Sequence, residues 1–183
     1  MTSRASAWLE RATSPVHGSS VAAFRVLFGL LGAIGAARFL AYDWIDRFFV
    51  QPTYFFQYWG FEWVQPLSGP AMYAAFGVLV LSALLITLGL FYRVAIATYF
   101  VVFTYVELID VTNYLNHYYL VSRLAFWMCF MPLGQVLGLD AKRRGARTEL
   151  PRWMLGSLQL QVACVYVFAA LAKVSGDWLL GAQ

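Results

Sequence analysis

The stretch "AMYAAFGVLVLSALLITLGLF", residues 71–91, carries no charged side chain. A segment of this kind in hydrocarbon must satisfy its backbone polar groups internally, which leaves a helix as the form it can take. About 20 residues of helix cross the roughly 30 Å apolar layer of a bilayer. Comparable runs cover residues 21–42, 94–111, 118–138 and 153–173. The run at 94–111 is the weakest, because Glu107 and Asp110 cut it short after Arg93. The expected fold is therefore an all-α integral membrane protein, a bundle of about five transmembrane helices. With 61% hydrophobic and 12% charged residues, the composition lies well away from that of soluble domains. Residues 1–20 contain Arg4, Glu10 and Arg11 and lack the apolar core of a secretory signal. They read as a cytoplasmic or interfacial segment preceding a transmembrane domain at 21–183.

The segment "LDAKRRGARTELPR", residues 139–152, collects Lys142, Arg143, Arg144, Arg147 and Arg152 in one short loop. Short basic loops stay cytoplasmic, which puts the amino terminus inside and the end of the last helix outside. The net charge of +4 is thereby explained by topology rather than by a nucleic-acid partner. The same assignment brings Arg38, Glu107, Asp110, Asn116, His117 and Lys173 to one depth near the outer face.

Charges inside a span cost about 2.5–3.5 kcal/mol at its centre, so those that persist usually face a partner or cavity. Arg123, about 9 Å along the helix from His117, is the clearest example and is expected to face a pocket. His117, in "DVTNYLNHYYLVSR", is either an interfacial histidine in an aromatic belt or a neutral imidazole aimed into a cavity. Lys173, at the end of "VFAALAK", is either a lysine that raises its ammonium to the headgroups or a desolvated base near neutral pH. Asp177, one turn further on, would oppose the second role if it pairs with the amine. The aromatic run "YFFQYWGFEWVQPL", residues 54–67, is either an interfacial belt or a wall on which Trp59 and Trp63 stack against a flat apolar ligand. Cys129 and Cys164 fall in apolar runs as packing residues, and two separated histidines give no metal centre.

Several segments together carry a family resemblance: "NYLNHYYLVSRLAFWMCFMPLG", "QLQVACVYVFAALAKVSGDWLLG", the "FRVLFG" of the first span and "YWGFEWVQPL". They resemble the vitamin K-dependent gamma-carboxylase family and its bacterial relatives, the horizontally transferred transmembrane (HTTM) domain proteins. The resemblance implies a bacterial inner-membrane protein with its active site toward the outer side. It implies reduced vitamin K, or a related quinol, with O2 and CO2 as co-substrates and a glutamyl peptide or protein as acceptor. By motif position Lys173 is similar to the family's base, and His117, with Asn116 beside it, to its stabilising group. Arg123, Asp110, Trp59, Trp63, Asp177 and Trp178 are the expected pocket residues. Relatives continue into further helices, so the domain is expected to be incomplete at its carboxyl end. The alternative is a noncatalytic membrane protein that holds a lipid, a quinone or a partner helix in the same pocket.

Overall fold

The computed structural model describes residues 4–174, which are mostly helical. Helices α1 (Arg4–Thr13), α2 (Ser19–Ala41), α3 (Gly69–Leu88), α4 (Tyr92–Leu108), α5 (Asn116–Cys129), α6 (Leu139–Arg144) and α7 (Arg152–Lys173) follow in chain order. Among the described residues three of them, α2, α3 and α7, are long and apolar enough by themselves to cross a membrane. At 1.5 Å per residue they are about 30–35 Å long, whereas α4 and α5 reach about 26 and 21 Å. Within the expected span at 118–138 the α-helix ends at Cys129. Pro132 offers no N–H to continue the ladder, and the chain tightens through Phe130 and Met131 into a 3-10 turn at Leu133–Gln135. The all-α expectation also missed two short strands, β1 (Pro15–His17) and β2 (Glu149–Pro151), which make a small ribbon.

The chain divides into two compact units, one formed by His17–Leu150 and the other by Met1–Val16 with Pro151–Gln183. In the larger unit packing follows chain order, α2 on α3, α3 on α4 and α4 on α5. Small residues on α2 allow the first of these: a Cβ at Gly29 would sit 2.7 Å from the Ala83 carbonyl, and Ala33 and Ala36 continue the stripe. Helix α3 answers with Met72, Phe76, Leu79, Ala83 and Ile86, all buried at three- and four-residue spacing. In the smaller unit, the Arg152 N–H donates to the Ser14 carbonyl (3.0 Å) and its Nε to the Ser14 hydroxyl (3.0 Å), tying the end of α1 to the start of α7.

One end of the larger unit is closed by a polar knot. Helix α3 stops at Gly89, whose φ of 62° lets the Gly89 and Leu90 N–H groups donate back to Ile86 and Leu85. The chain then turns through Phe91, also at positive φ, into α4. The Asp140 carboxylate accepts from the Phe91 N–H (3.0 Å) and the Tyr92 N–H (2.9 Å), and the Asp140 N–H donates to the Gly89 carbonyl (2.8 Å). A negative group at a helix amino terminus also meets the positive end of its dipole. Arg25 of α2, 1% exposed, donates from Nη2 to the Leu137 carbonyl (3.1 Å), and Asp140 supplies a countercharge. Its Nη1 occupies the space a side chain on Gly89 would need.

Removing the Asp140 carboxylate leaves the buried Tyr92 N–H and the part-buried Phe91 N–H without their acceptor and takes a countercharge from the buried Arg25 guanidinium. Asp140→Ala should therefore cost about 3 kcal/mol, with Asp140→Asn intermediate because it keeps one acceptor. Thermal unfolding of the purified protein in detergent checks the order wild type, Asn, Ala. Gly89→Ala should be as damaging as Asp140→Ala, since it combines left-handed strain with overlap on Arg25.

Candidate functional site

Helix α2 presents two faces. The stripe of small residues meets α3, while Phe24, Leu27, Leu31, Gly35 and Arg38, recurring every three or four residues, line a cavity of about 890 Å³ within the larger unit. The opposite wall comes from His117, Tyr118, Val121 and Leu124 of α5, and the floor from Phe76, Leu79 and Phe103. Along α2 the lining extends from Phe24 to Phe39, about 22 Å of helix. Most of this surface is aromatic or aliphatic. Phe39 stacks on Phe76 with centroids 4.9 Å apart, and Phe103 meets Tyr118 edge-on at 6.0 Å.

Polar groups gather at one end, because α2 and α4 run the same way and α5 begins where they finish. Arg38 lies near the end of α2, Glu107 near the end of α4, and His117 in the first turn of α5, joined by Asn113 and by Tyr58 from the irregular aromatic segment. The Arg38 guanidinium lies 5.1 Å from the Trp44 ring centroid. Burial, and then the negative charge of Glu107, push the Tyr58 phenol above its ordinary range, so that it remains a hydrogen-bond donor at neutral pH. His117 packs edge-on against Tyr118 at 4.5 Å. This end can hold a polar head by donors from Arg38, Tyr58 and Asn113 and by an acceptor from Glu107, while the remainder holds an apolar body.

Of the residues singled out in the sequence, His117 lines this cavity. Asn116 is the exposed first residue of α5, and Asn113 takes the lining position. Arg123 is exposed, with its guanidinium 5.3 Å from the Tyr119 ring centroid. It stands two residues from Val121, about 200° round the helix from the cavity wall. The Asp110 carboxylate accepts from the Thr112 N–H (2.9 Å) and hydroxyl (2.8 Å), capping a 3-10 turn. Trp59 and Trp63 are 95% and 75% exposed. Lys173 is an exposed residue ending α7 in the other unit. Asp177 and Trp178 lie outside the described residues.

Arg38, Glu107, Tyr58 and Asn113 were not among the expected site residues. Like Arg123, Arg38 and Glu107 are charges within an apolar run, where a charge usually faces a partner or cavity. Arg38 also shares the α2 stripe with Phe24 and Leu31, a signal readable from spacing alone.

Anchors fix the polar end. The Tyr105 hydroxyl of α4 donates to the Gln65 carbonyl (2.8 Å) and accepts from the Leu67 N–H (3.0 Å), and the Val111 N–H donates to the Phe56 carbonyl (2.7 Å). These bonds hold the segment that carries Tyr58 against α4. Tyr105→Phe should therefore loosen residues 54–67 without unfolding the helices, read as faster amide hydrogen exchange there with α2 and α3 unchanged.

No solved structure matches the chain. The HTTM domain family matches it over residues 13–183, from the end of α1 through the last residue. The apolar helices agree with that match, and the chain belongs to the HTTM domain family of membrane proteins.

Proposed function

We propose that the protein binds a reduced quinone of the vitamin K type in the α2–α5 cavity and uses it for carboxylase-like chemistry. The observation that supports this most is the cavity itself, about 890 Å³, apolar along about 22 Å of α2 and polar at one end. A ring bearing two hydroxyls and an isoprenoid tail has that division. The residues present therefore fit the group: Arg38, Tyr58, Glu107 and Asn113 for the hydroxyl-bearing edge, and Phe24, Leu27 and Leu31 for the tail. When bound, the reduced quinone supplies the reductant for O2 and the strong base that takes the gamma-proton of a glutamyl side chain, to which CO2 then adds.

On this reading the chain's own groups act before and around that chemistry. Lys173, by its motif position, takes the quinol proton as a neutral amine. His117 donates a hydrogen bond to the oxygen that has lost it, with Asn116 as its neighbour in the motif. The aromatic walls exclude water, which would otherwise consume a strong base. The basic segment at 140–152 favours an amino terminus on the cytoplasmic side of a bacterial inner membrane.

The assay is conversion of reduced vitamin K to its epoxide by the protein reconstituted in lipid with O2. Lys173→Ala should lower the rate by about 10²–10⁴-fold, the usual worth of a positioned base. An unchanged rate in that variant would overturn the assignment of Lys173. Binding of the quinol without any epoxide under any condition would favour a noncatalytic quinone-binding protein. Occupation is checked separately at Gly35, where a Cβ would meet nothing within 4 Å and would project into lining space. Gly35→Phe should weaken quinol binding at least about tenfold, or about 1.4 kcal/mol, while leaving the melting temperature near that of wild type.

A further inference from the structure

We propose that α1 is an in-plane membrane anchor and that its polar face, together with Arg152, receives the phosphodiester headgroup of an anionic phospholipid. Nothing in the quinone reading is needed for it. In α1, "RASAWLERAT", the apolar positions Ala5, Trp8, Leu9 and Ala12 recur at three- and four-residue spacing and form one stripe. The opposite positions are Ala7, Glu10, Arg11 and, just past the helix, Ser14, which line a cleft with Arg152 of α7. An amphipathic helix on a soluble fold turns its apolar stripe inward. Here Trp8 is 75% and Leu9 66% exposed, and Ala7, Glu10 and Arg11 on the other side are exposed as well, lining the open cleft with Arg152. Water does not favour that arrangement, and the headgroup–acyl boundary of a bilayer does.

The hydrogen bonds of Arg152 fix the level. Helix α7 is a membrane-crossing segment by length and apolarity, so its first residue, Arg152, marks a membrane surface. Ser14 is held at that residue by two 3.0 Å hydrogen bonds, one residue after α1 ends. The exposed indole of Trp8 is thereby delivered to the zone where tryptophan is most favourable. In the cleft, Arg11 and Arg152 bring two positive charges and Glu10 one negative, with the Ser14 hydroxyl beside them. One net positive charge remains, which suits a singly charged phosphodiester and disfavours a second carboxylate. A guanidinium matches two phosphate oxygens with two parallel N–H groups.

The full chain, with Cys129 and Cys164 replaced by serine and Leu9→Cys carrying an environment-sensitive fluorophore, is reconstituted into phosphatidylcholine vesicles. A small fraction of the lipid carries a nitroxide on its acyl chain, either just below the headgroup or deep. The proposal expects stronger quenching by the shallow nitroxide, and about fivefold more when it is carried by phosphatidylglycerol than by phosphatidylcholine, the worth of one charge at an anionic surface. Arg11→Gln with Arg152→Gln should abolish the lipid preference and leave the shallow quenching, while Arg11→Lys should keep most of both. Absence of quenching would overturn the in-plane placement. Equal quenching by the two lipids in the unsubstituted cleft would overturn the headgroup site, whether or not the glutamine variant folds.

Discussion

A single carboxylate, Asp140, holds together the end of the larger unit from which its helices are organised. It caps the first two N–H groups at the start of α4, and its own N–H fastens the turn after α3. The guanidinium of Arg25 lies against the same turn and reaches the chain after α5 through Leu137. Helices α2, α3 and α4 and the segment after α5 are thus tied at one place by polar contacts that a lipid environment cannot replace. Two strained residues, Phe91 and Leu137, both at positive φ, sit in this knot, and both offer a backbone polar group to it.

With that end fixed, the division of α2 into two faces has a functional consequence. Gly29 and Ala33 let α3 approach closely, and the larger side chains on the other face meet α5 across a cavity instead of filling it. The glycine at 35 preserves that space. Helix direction brings Arg38, Glu107 and His117 to the same end, so the cavity is amphipathic along its length. On the proposed reading this gradient orients a quinol with its hydroxyls toward the polar end. The HTTM family match covers every helix that lines the cavity.

The helices α2, α3 and α7 were legible because apolar composition over 20 or more residues leaves a chain few alternatives in lipid. Ends were harder. The apolar run of the fourth span continues past Pro132, so hydropathy alone carried it to 138, whereas the missing N–H stopped the helix at Cys129. Depth along a helix was readable from residue number, but direction around it needed the packing. Arg123 and His117 share α5, yet His117 lines the cavity and Arg123 does not. Asp140 looked like one charge in a basic loop, since a cap for a helix that begins at Tyr92 is not written near it in the chain. Glu107 and Arg38 were visible as charges at a common depth, and only the cavity joined them.

The central claim is that the α2–α5 cavity is the seat of an apolar ring with a polar edge, and photoaffinity labelling tests it most directly. A photoreactive vitamin K analogue, reduced and irradiated with the protein in lipid nanodiscs, should modify peptides containing Phe24–Phe39 and His117–Leu124, and excess unlabelled reduced vitamin K should suppress both. Labelling spread evenly over the lipid-facing helices, or labelling of those two segments that the competitor leaves untouched, would contradict it.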